Sequence, residues 1–273
     1  MLRIPRKGLI GAVAAFVVAA LLSFSFAGAA EELPSAEKVL DGYVKTIGGV
    51  KAFDKITSTV SKADFEIPAM GLKIDVAIYA ARPNKFYSLA ESPMVGKIER
   101  GTDGSVFWEK STMQGPRILE GEELADALRE AKFEGLVYWR TLYDSVAVSG
   151  VDTVEGSAAY KVVLKPKDGK PRTYVFDMKS GLLVKTTTTA VTQMGEIQVV
   201  AYVTDYRKTG EVLQAYKTTM NVMGQDRVIT ATSIEQNAAI PDSVFAVPAD
   251  IKELLKAGEK PKEATEGKAE EKK

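Results

Sequence analysis

The sequence predicts a mainly β, α+β fold: a curved antiparallel meander forming an incomplete β-barrel of about ten or eleven strands, capped by an N-terminal helix and a mid-chain helical lid. Three observations predict it. Hydrophobic residues alternate with period two over most of the span from Glu31 to Leu255, glycine-bearing turns punctuate these runs at short intervals, and helical spacing is confined to two places. Short connections between successive strands require antiparallel neighbours, and a sheet of so many strands curls.

The elements follow in chain order. Pro34-Ser35 is a helix start; Val39, Leu40, Tyr43, Val44 and Ile47 then share one face until Gly48-Gly49 stops the helix. Leu72, Ile74, Val76, Ile78 and Ala80 alternate with Lys73, Asp75 and Tyr79, the pattern of a strand with one buried face. Tyr160, Val162 and Leu164 repeat it, as do Tyr174, Phe176 and Met178, and then Ile197, Val199, Ala201 and Val203. Turns fall at Thr102-Asp103-Gly104, Lys167-Asp168-Gly169, Lys179-Ser180-Gly181, Met194-Gly195, Lys208-Thr209-Gly210 and Met223-Gly224, where glycine accepts positive φ. The second helical place runs from Gly121 to about Tyr143. Leu124, Leu128 and Ala131 recur at helical spacing, and Leu136 to Tyr143 is apolar around most of its circumference, so this lid needs cover on two sides.

The two ends differ from this body. Arg3, Arg6 and Lys7 precede an apolar run from Gly8 to Phe26 and the small residues Ala27-Gly28-Ala29-Ala30, so residues 1–30 read as a signal peptide cleaved near Ala29 or Ala30. A retained anchor is the alternative, because the run approaches the ~20 residues of a membrane span. With no cysteine there is no lipoprotein acylation site, and the expected product is an exported, periplasmic chain without a stable membrane span. Residues 31–255 form the single expected domain. Residues 256–273, rich in Lys and Glu and without an apolar residue larger than alanine, read as a disordered charged tail.

Composition excludes much chemistry. The 273 residues contain 36 Lys+Arg, 36 Asp+Glu, no histidine and no cysteine. Ser-His-Asp triads, Cys-His dyads, thiol redox chemistry and His or Cys metal sites each lack a member, and zero net charge argues against nucleic acid. Ser35-Ala36-Glu37-Lys38 followed by Lys208-Thr209-Gly210 imitates the motifs of penicillin-binding enzymes, but Ser35 sits at a helix cap, Lys208-Thr209-Gly210 at a hairpin turn, and the intervening element is missing. Asp64 and Glu66 read as a solvated strand face, and Asp103, Asp168 and Asp177 fall in no calcium-loop spacing. No enzyme, metal or cofactor is expected.

Three segments carry a resemblance: Tyr160 to Leu164; Tyr174 to Lys185 with its aromatic-x-x-Asp-x-x-x-Gly-Leu hairpin; and the closing Ile240-Pro241-Asp242-Ser243-Val244-Phe245-Ala246-Val247-Pro248. Together with the order of helix, hairpins, helical insertion and further hairpins, they resemble the LolA-like family of outer-membrane lipoprotein-sorting carriers and their lipid-binding relatives. The resemblance implies a half-barrel whose concave apolar side, covered by helices, accepts the acyl chains of a lipid or lipoprotein. The rival expectation is an envelope interaction or sensor module with a filled core that binds a protein partner. The residues expected to line the apolar cavity are Ile74, Val76, Ile78, Phe107, Leu124, Leu128, Leu136, Trp139, Leu142, Tyr174, Phe176 and Val199. Sorting carriers also use an arginine near the lid, which no motif here singles out.

Overall fold

Alternating apolar runs joined by tight turns give a thirteen-stranded antiparallel sheet in the computed structural model, which describes residues 32–258 apart from 134, 193 and 194. The expected signal peptide and residues 259–273 of the expected tail lie outside the described residues. The strands are β1 (Ser58–Ile67), β2 (Leu72–Ala81), β3 (Lys85–Ser92), β4 (Gly96–Thr102), β5 (Phe107–Ser111), β6 (Gly115–Ile118), β7 (Tyr143–Val154), β8 (Ser157–Pro166), β9 (Arg172–Asp177), β10 (Leu183–Thr192), β11 (Gly195–Thr209), β12 (Val212–Val222) and β13 (Gln225–Gln236). Their order across the sheet is β6-β5-β4-β3-β2-β1-β13-β12-β11-β10-β9-β8-β7, two meanders joined where β1 pairs with β13. The curved sheet stays open between β6 and β7, the incomplete barrel that the periodicity predicts. It has more strands than the expected ten or eleven because tight hairpins at Arg82–Asn84, Pro93–Val95 and Thr112–Gln114 divide the stretch from residue 72 to 118 into short, weakly alternating strands.

The helices are α1 (Ala36–Thr46), α2 (Val50–Asp54), α3 (Gly121–Glu130) and α4 (Ala249–Gly258). Ser35 caps α1, its Oγ accepting from the Lys38 amide at 3.3 Å, so the serine of the enzyme-like motif serves the helix end. Gly48, with φ of 127°, lets the chain leave α1 against the β11–β12 turn: a Cβ there would meet the Glu211 carbonyl at 3.0 Å. Beside it the Leu213 amide donates to the Ile47 carbonyl at 2.8 Å. The expected lid is one stretch in sequence and two pieces in space. α3 ends at Glu130, a 3-10 segment spans Gly135–Thr141 with a non-helical kink at Tyr138, and Tyr143 opens β7. α4 runs to Gly258 and takes in the first three residues of the expected tail, because fully buried Ile251 docks it and β6 lies against it.

Two apolar clusters lie beneath the helical cover. The larger joins Leu40, Tyr43, Phe53, Val137, Trp139, Val162, Leu164, Phe176 and Val212; the smaller joins Phe107, Leu119, Ala127 and Ala131, flanked by Phe86, Leu124 and Leu128. On β1, Asp64 lies 2.9 Å from Lys73 of β2 and Glu66 lies 3.9 Å from it, consistent with a solvated face. Among the described residues no helix is long and apolar enough to cross a membrane.

Candidate functional site

The larger cluster does not fill its space. The C-terminal turn of α1 (Tyr43, Ile47), Phe53 of α2, Leu136 and Val137 of the 3-10 segment, Leu183 of β10, Val203 and Tyr206 of β11, Leu213, Gln214 and Ala215 of β12 and Ile234 of β13 line an open cavity of about 340 Å³. That volume lies in the range of small-ligand sites, and the lining carries no charged side chain. The Tyr206 hydroxyl donates to the Leu183 carbonyl at 2.9 Å, and burial pushes its phenol up to about 12, so it is a neutral, satisfied group at neutral pH. An aliphatic and aromatic wall of this kind attracts a ligand by removing apolar surface from water, with no fixed charge for a polar ligand to pair with.

A second recess of about 210 Å³, lined by Arg82, Pro83, Lys132, Phe133, Tyr138, Thr141 and Leu142, lies across the 3-10 segment from the first, and Gly135 lines both. The segment is therefore a partition between two spaces. Gly135 keeps it thin: a Cβ there would come within 3.1 Å of Leu142 Cδ1.

Polar contacts hold this partition on two sides. Towards α1, Arg140 grips the Asp41 carboxylate with both terminal nitrogens, at 2.7 and 2.8 Å. The Trp139 indole donates to the same carboxylate at 3.3 Å, and the Arg140 guanidinium stacks 4.1 Å above the Trp139 ring. The hydrogen bond from Arg140 holds the Asp41 carboxyl below the usual carboxylate range. Towards α2, Arg82 donates to the carbonyls of Ile56 at 2.7 Å and Phe53 at 2.8 Å and to the Tyr138 hydroxyl at 2.8 Å, while that hydroxyl donates to Asp54 at 2.7 Å. The guanidinium also lies 5.1 Å from the Phe133 ring centre, so one side chain ties the end of α2 to the segment across the sheet's inner face.

α3 is fastened differently. Buried Arg172 of β9 donates to Asp126 at 3.1 Å and Glu130 at 3.5 Å, and Arg129 bonds both Asp126 and the Asp168 carbonyl. Burial opposes the Arg172 charge, but Tyr174, Glu130, Tyr143 and Asp126 outweigh it and raise its pKa.

Of the sequence-predicted lining, Leu136 faces the cavity. Trp139, Leu142, Tyr174 and Phe176 pack in the cluster around it, whereas Phe107, Leu124 and Leu128 pack in the separate cluster under α3. Ile74 is buried and Val76, Ile78 and Val199 are half-buried, in neither of these clusters. Sequence reasoning missed Phe53, Leu183, Tyr206, Leu213 and Arg82. Leu213 and Tyr206 sit beside the Lys208-Thr209-Gly210 turn, but only the docking of α1 on that turn brings them to the site.

No family model and no curated protein matches the sequence. Solved structures do match in shape. A DUF1329 family protein from Desulfovibrio piger aligns over 77% of this chain and 97% of its own with a TM-score of 0.53 and 15% identity. A LolA superfamily protein from Nitrosomonas europaea aligns over 79% and 99%, with a TM-score of 0.54 and 11% identity. A putative outer membrane lipoprotein-sorting protein domain from Vibrio parahaemolyticus aligns over 81% and 99%, with a TM-score of 0.51 and 12% identity. The open thirteen-stranded half-barrel, with helices over its concave side, is a LolA-like fold.

Proposed function

We propose that the protein is an exported, non-enzymatic carrier of a lipidic ligand, whose acyl chain enters the cavity between the curved sheet and α1, α2 and the 3-10 segment. The observation that carries this reading is the uncharged, largely apolar open recess of about 340 Å³ against the larger cluster. Each CH₂ moved from water into such a recess contributes about 0.8 kcal/mol, so a chain is held without a specific polar contact. The likeness in fold to a lipoprotein-sorting domain supports the same reading, with lipid or lipoprotein as the ligand and the periplasm as the compartment. The rival, a module that adds a partner's strand to its sheet, finds less support: β7, the outer strand of the longer meander, carries two register shifts, and such bulges blunt an edge.

Mass spectrometry of organic extracts from protein purified out of its native envelope tests the proposal. We expect acyl lipid in near-stoichiometric amount, displaceable by a fluorescent fatty acid. Lipid-free protein that also fails to bind the probe would overturn it.

A further inference from the structure

Because successive hairpins of an antiparallel meander turn at alternating ends, the turns β5–β6, β3–β4, β1–β2 and β12–β13 occupy consecutive places along one end of the sheet, and the polar β8–β9 turn (Lys167, Asp168, Lys170) lies further along the same end. Each of these four contains one methionine: Met113, Met94, Met70 and Met223. All four are strongly exposed, at 83%, 69%, 57% and 79% respectively. The turns at the opposite end present Asn84, Asp103, Glu155, Lys179 and Glu211, with one less exposed methionine, Met178 at 38%, beside Lys179. Met223 stands in the left-handed region at φ 53°, followed by Gly224 at φ 79°, in a two-residue hairpin where asparagine or glycine is the unstrained choice. A flexible apolar side chain is thus kept on a tip at a conformational cost.

We infer that this methionine rim lies against the surface of a lipid bilayer of neutral headgroups. Neighbouring hairpins are two strand spacings, about 10 Å, apart, so the tips form a comb of small apolar groups, Pro68-Ala69-Met70 and Pro93-Met94-Val95 beside the single methionines Met113 and Met223. Apolar tips of this kind, carried on hairpin ends with charged strand residues behind them, seat at the boundary of headgroups and acyl chains. Methionine loses much rotamer entropy against a rigid partner and keeps it in fluid lipid. Most charges behind the tips are engaged: Lys73, Lys97, Lys110, Arg117 and Lys170 by Asp64, Glu99, Asp250, Glu123 and Glu196 at 2.9, 3.2, 2.5, 2.6 and 2.8 Å, whereas Arg227 and Lys167 have no salt bridge among the described residues. Cations already paired within the chain give little pull toward anionic lipid. The inference does not rest on the carrier reading, whose cavity is lined by Leu213, Gln214 and Ala215 beside the β11–β12 turn at the other end of the sheet.

The absence of cysteine makes the test clean. Met70→Cys, Met94→Cys, Met113→Cys and Met223→Cys, with Lys179→Cys at the opposite end, are each labelled in the full chain with an environment-sensitive NBD fluorophore and mixed with phosphatidylcholine vesicles. The rim labels should brighten several-fold and be quenched by nitroxide lipids, at low and high salt alike, while the Lys179→Cys label stays unchanged. Replacing the other three rim methionines with glutamine should lower the response of the Met113→Cys label several-fold, with the unfolding transition retained. Silent rim labels, or an equal response at Lys179→Cys from lipid binding elsewhere such as the run Gly8 to Phe26, would overturn the inference. So would a response only to anionic vesicles, or to a protein fraction and not to vesicles.

Discussion

The two halves of the helical cover are built from similar apolar residues and do opposite things. Under α3, Ala127 and Ala131 stand one turn apart and let the helix approach Phe107, which stacks on Phe86 at 6.2 Å, and that cluster closes. Under the segment Gly135–Thr141, eclipsed 3-10 side chains and the kink at Tyr138 present no regular ridge to the sheet, and a void remains. The fastenings differ in the same sense: α3 is pinned by a buried guanidinium, whereas the segment is clamped to α1 by an exposed carboxylate–guanidinium pair with side chains 50% and 59% exposed. A filled half supports the fold, and a looser half leaves room for a ligand.

The sharpest way to break this contrast is to remove what closes the looser half. Trp139 is 5% exposed and bridges segment and helix, so Trp139→Ala should cost about 3–5 kcal/mol, read as a lower denaturation midpoint. A cost below about 1 kcal/mol would mean that the segment contributes no packing of its own.

Adding volume separates the halves more finely. Ala127→Leu pushes into the closed cluster and should cost about 1–3 kcal/mol while leaving binding of a fatty-acid probe unchanged. Val203→Phe pushes into the void. Its stability should fall by less than about 1.5 kcal/mol and probe affinity should drop about tenfold or more, since the ring takes the space of several methylenes. If both variants lose stability equally and neither loses probe, the void is not the site.

How far the sequence reaches follows the same division. Period-two runs and glycine turns such as Lys167-Asp168-Gly169 and Lys179-Ser180-Gly181 are local signals, and the hairpins they mark are present. Three hairpins between residues 82 and 114, on either side of the marked Thr102-Asp103-Gly104 turn, escaped because their apices, Arg82–Asn84, Pro93–Val95 and Thr112–Gln114, contain no glycine and their strands alternate weakly. Helical spacing placed Leu124, Leu128 and Leu136 on one lid, but local pattern carries no record of the break between α3 and Gly135, which sends them to different clusters. The site is harder still to read. Arg82 joins α2 to Tyr138 across 56 residues of chain, and Leu213 reaches Ile47 only once β12 is in register, so long-range pairing selects both.

The smallest expected effect concerns the clamp, and it separates holding the fold from holding the gate. Asp41 has its pKa lowered by the hydrogen bond from Arg140, then by the charge of that residue and the bond from Trp139. A lowered folded-state pKa stabilises at pH values above the unfolded value of about 3.9, and that contribution is lost as pH falls through the folded value, so the window lies below about pH 4. Because both side chains are more than half solvated or close to it, screening keeps the contribution within about 0–1 kcal/mol. Asp41→Asn should therefore barely move the unfolding midpoint at pH 7. It should nonetheless speed release of bound fatty-acid probe, because opening the partition breaks the Arg140 and Trp139 contacts while leaving the sheet intact. Lowering the pH below about 4 should accelerate release from the parent until it matches Asp41→Asn, whose rate should stay flat over the same range. Parallel pH profiles in the two proteins would place the gate's hold elsewhere, with the Arg82–Tyr138–Asp54 contacts the next to test.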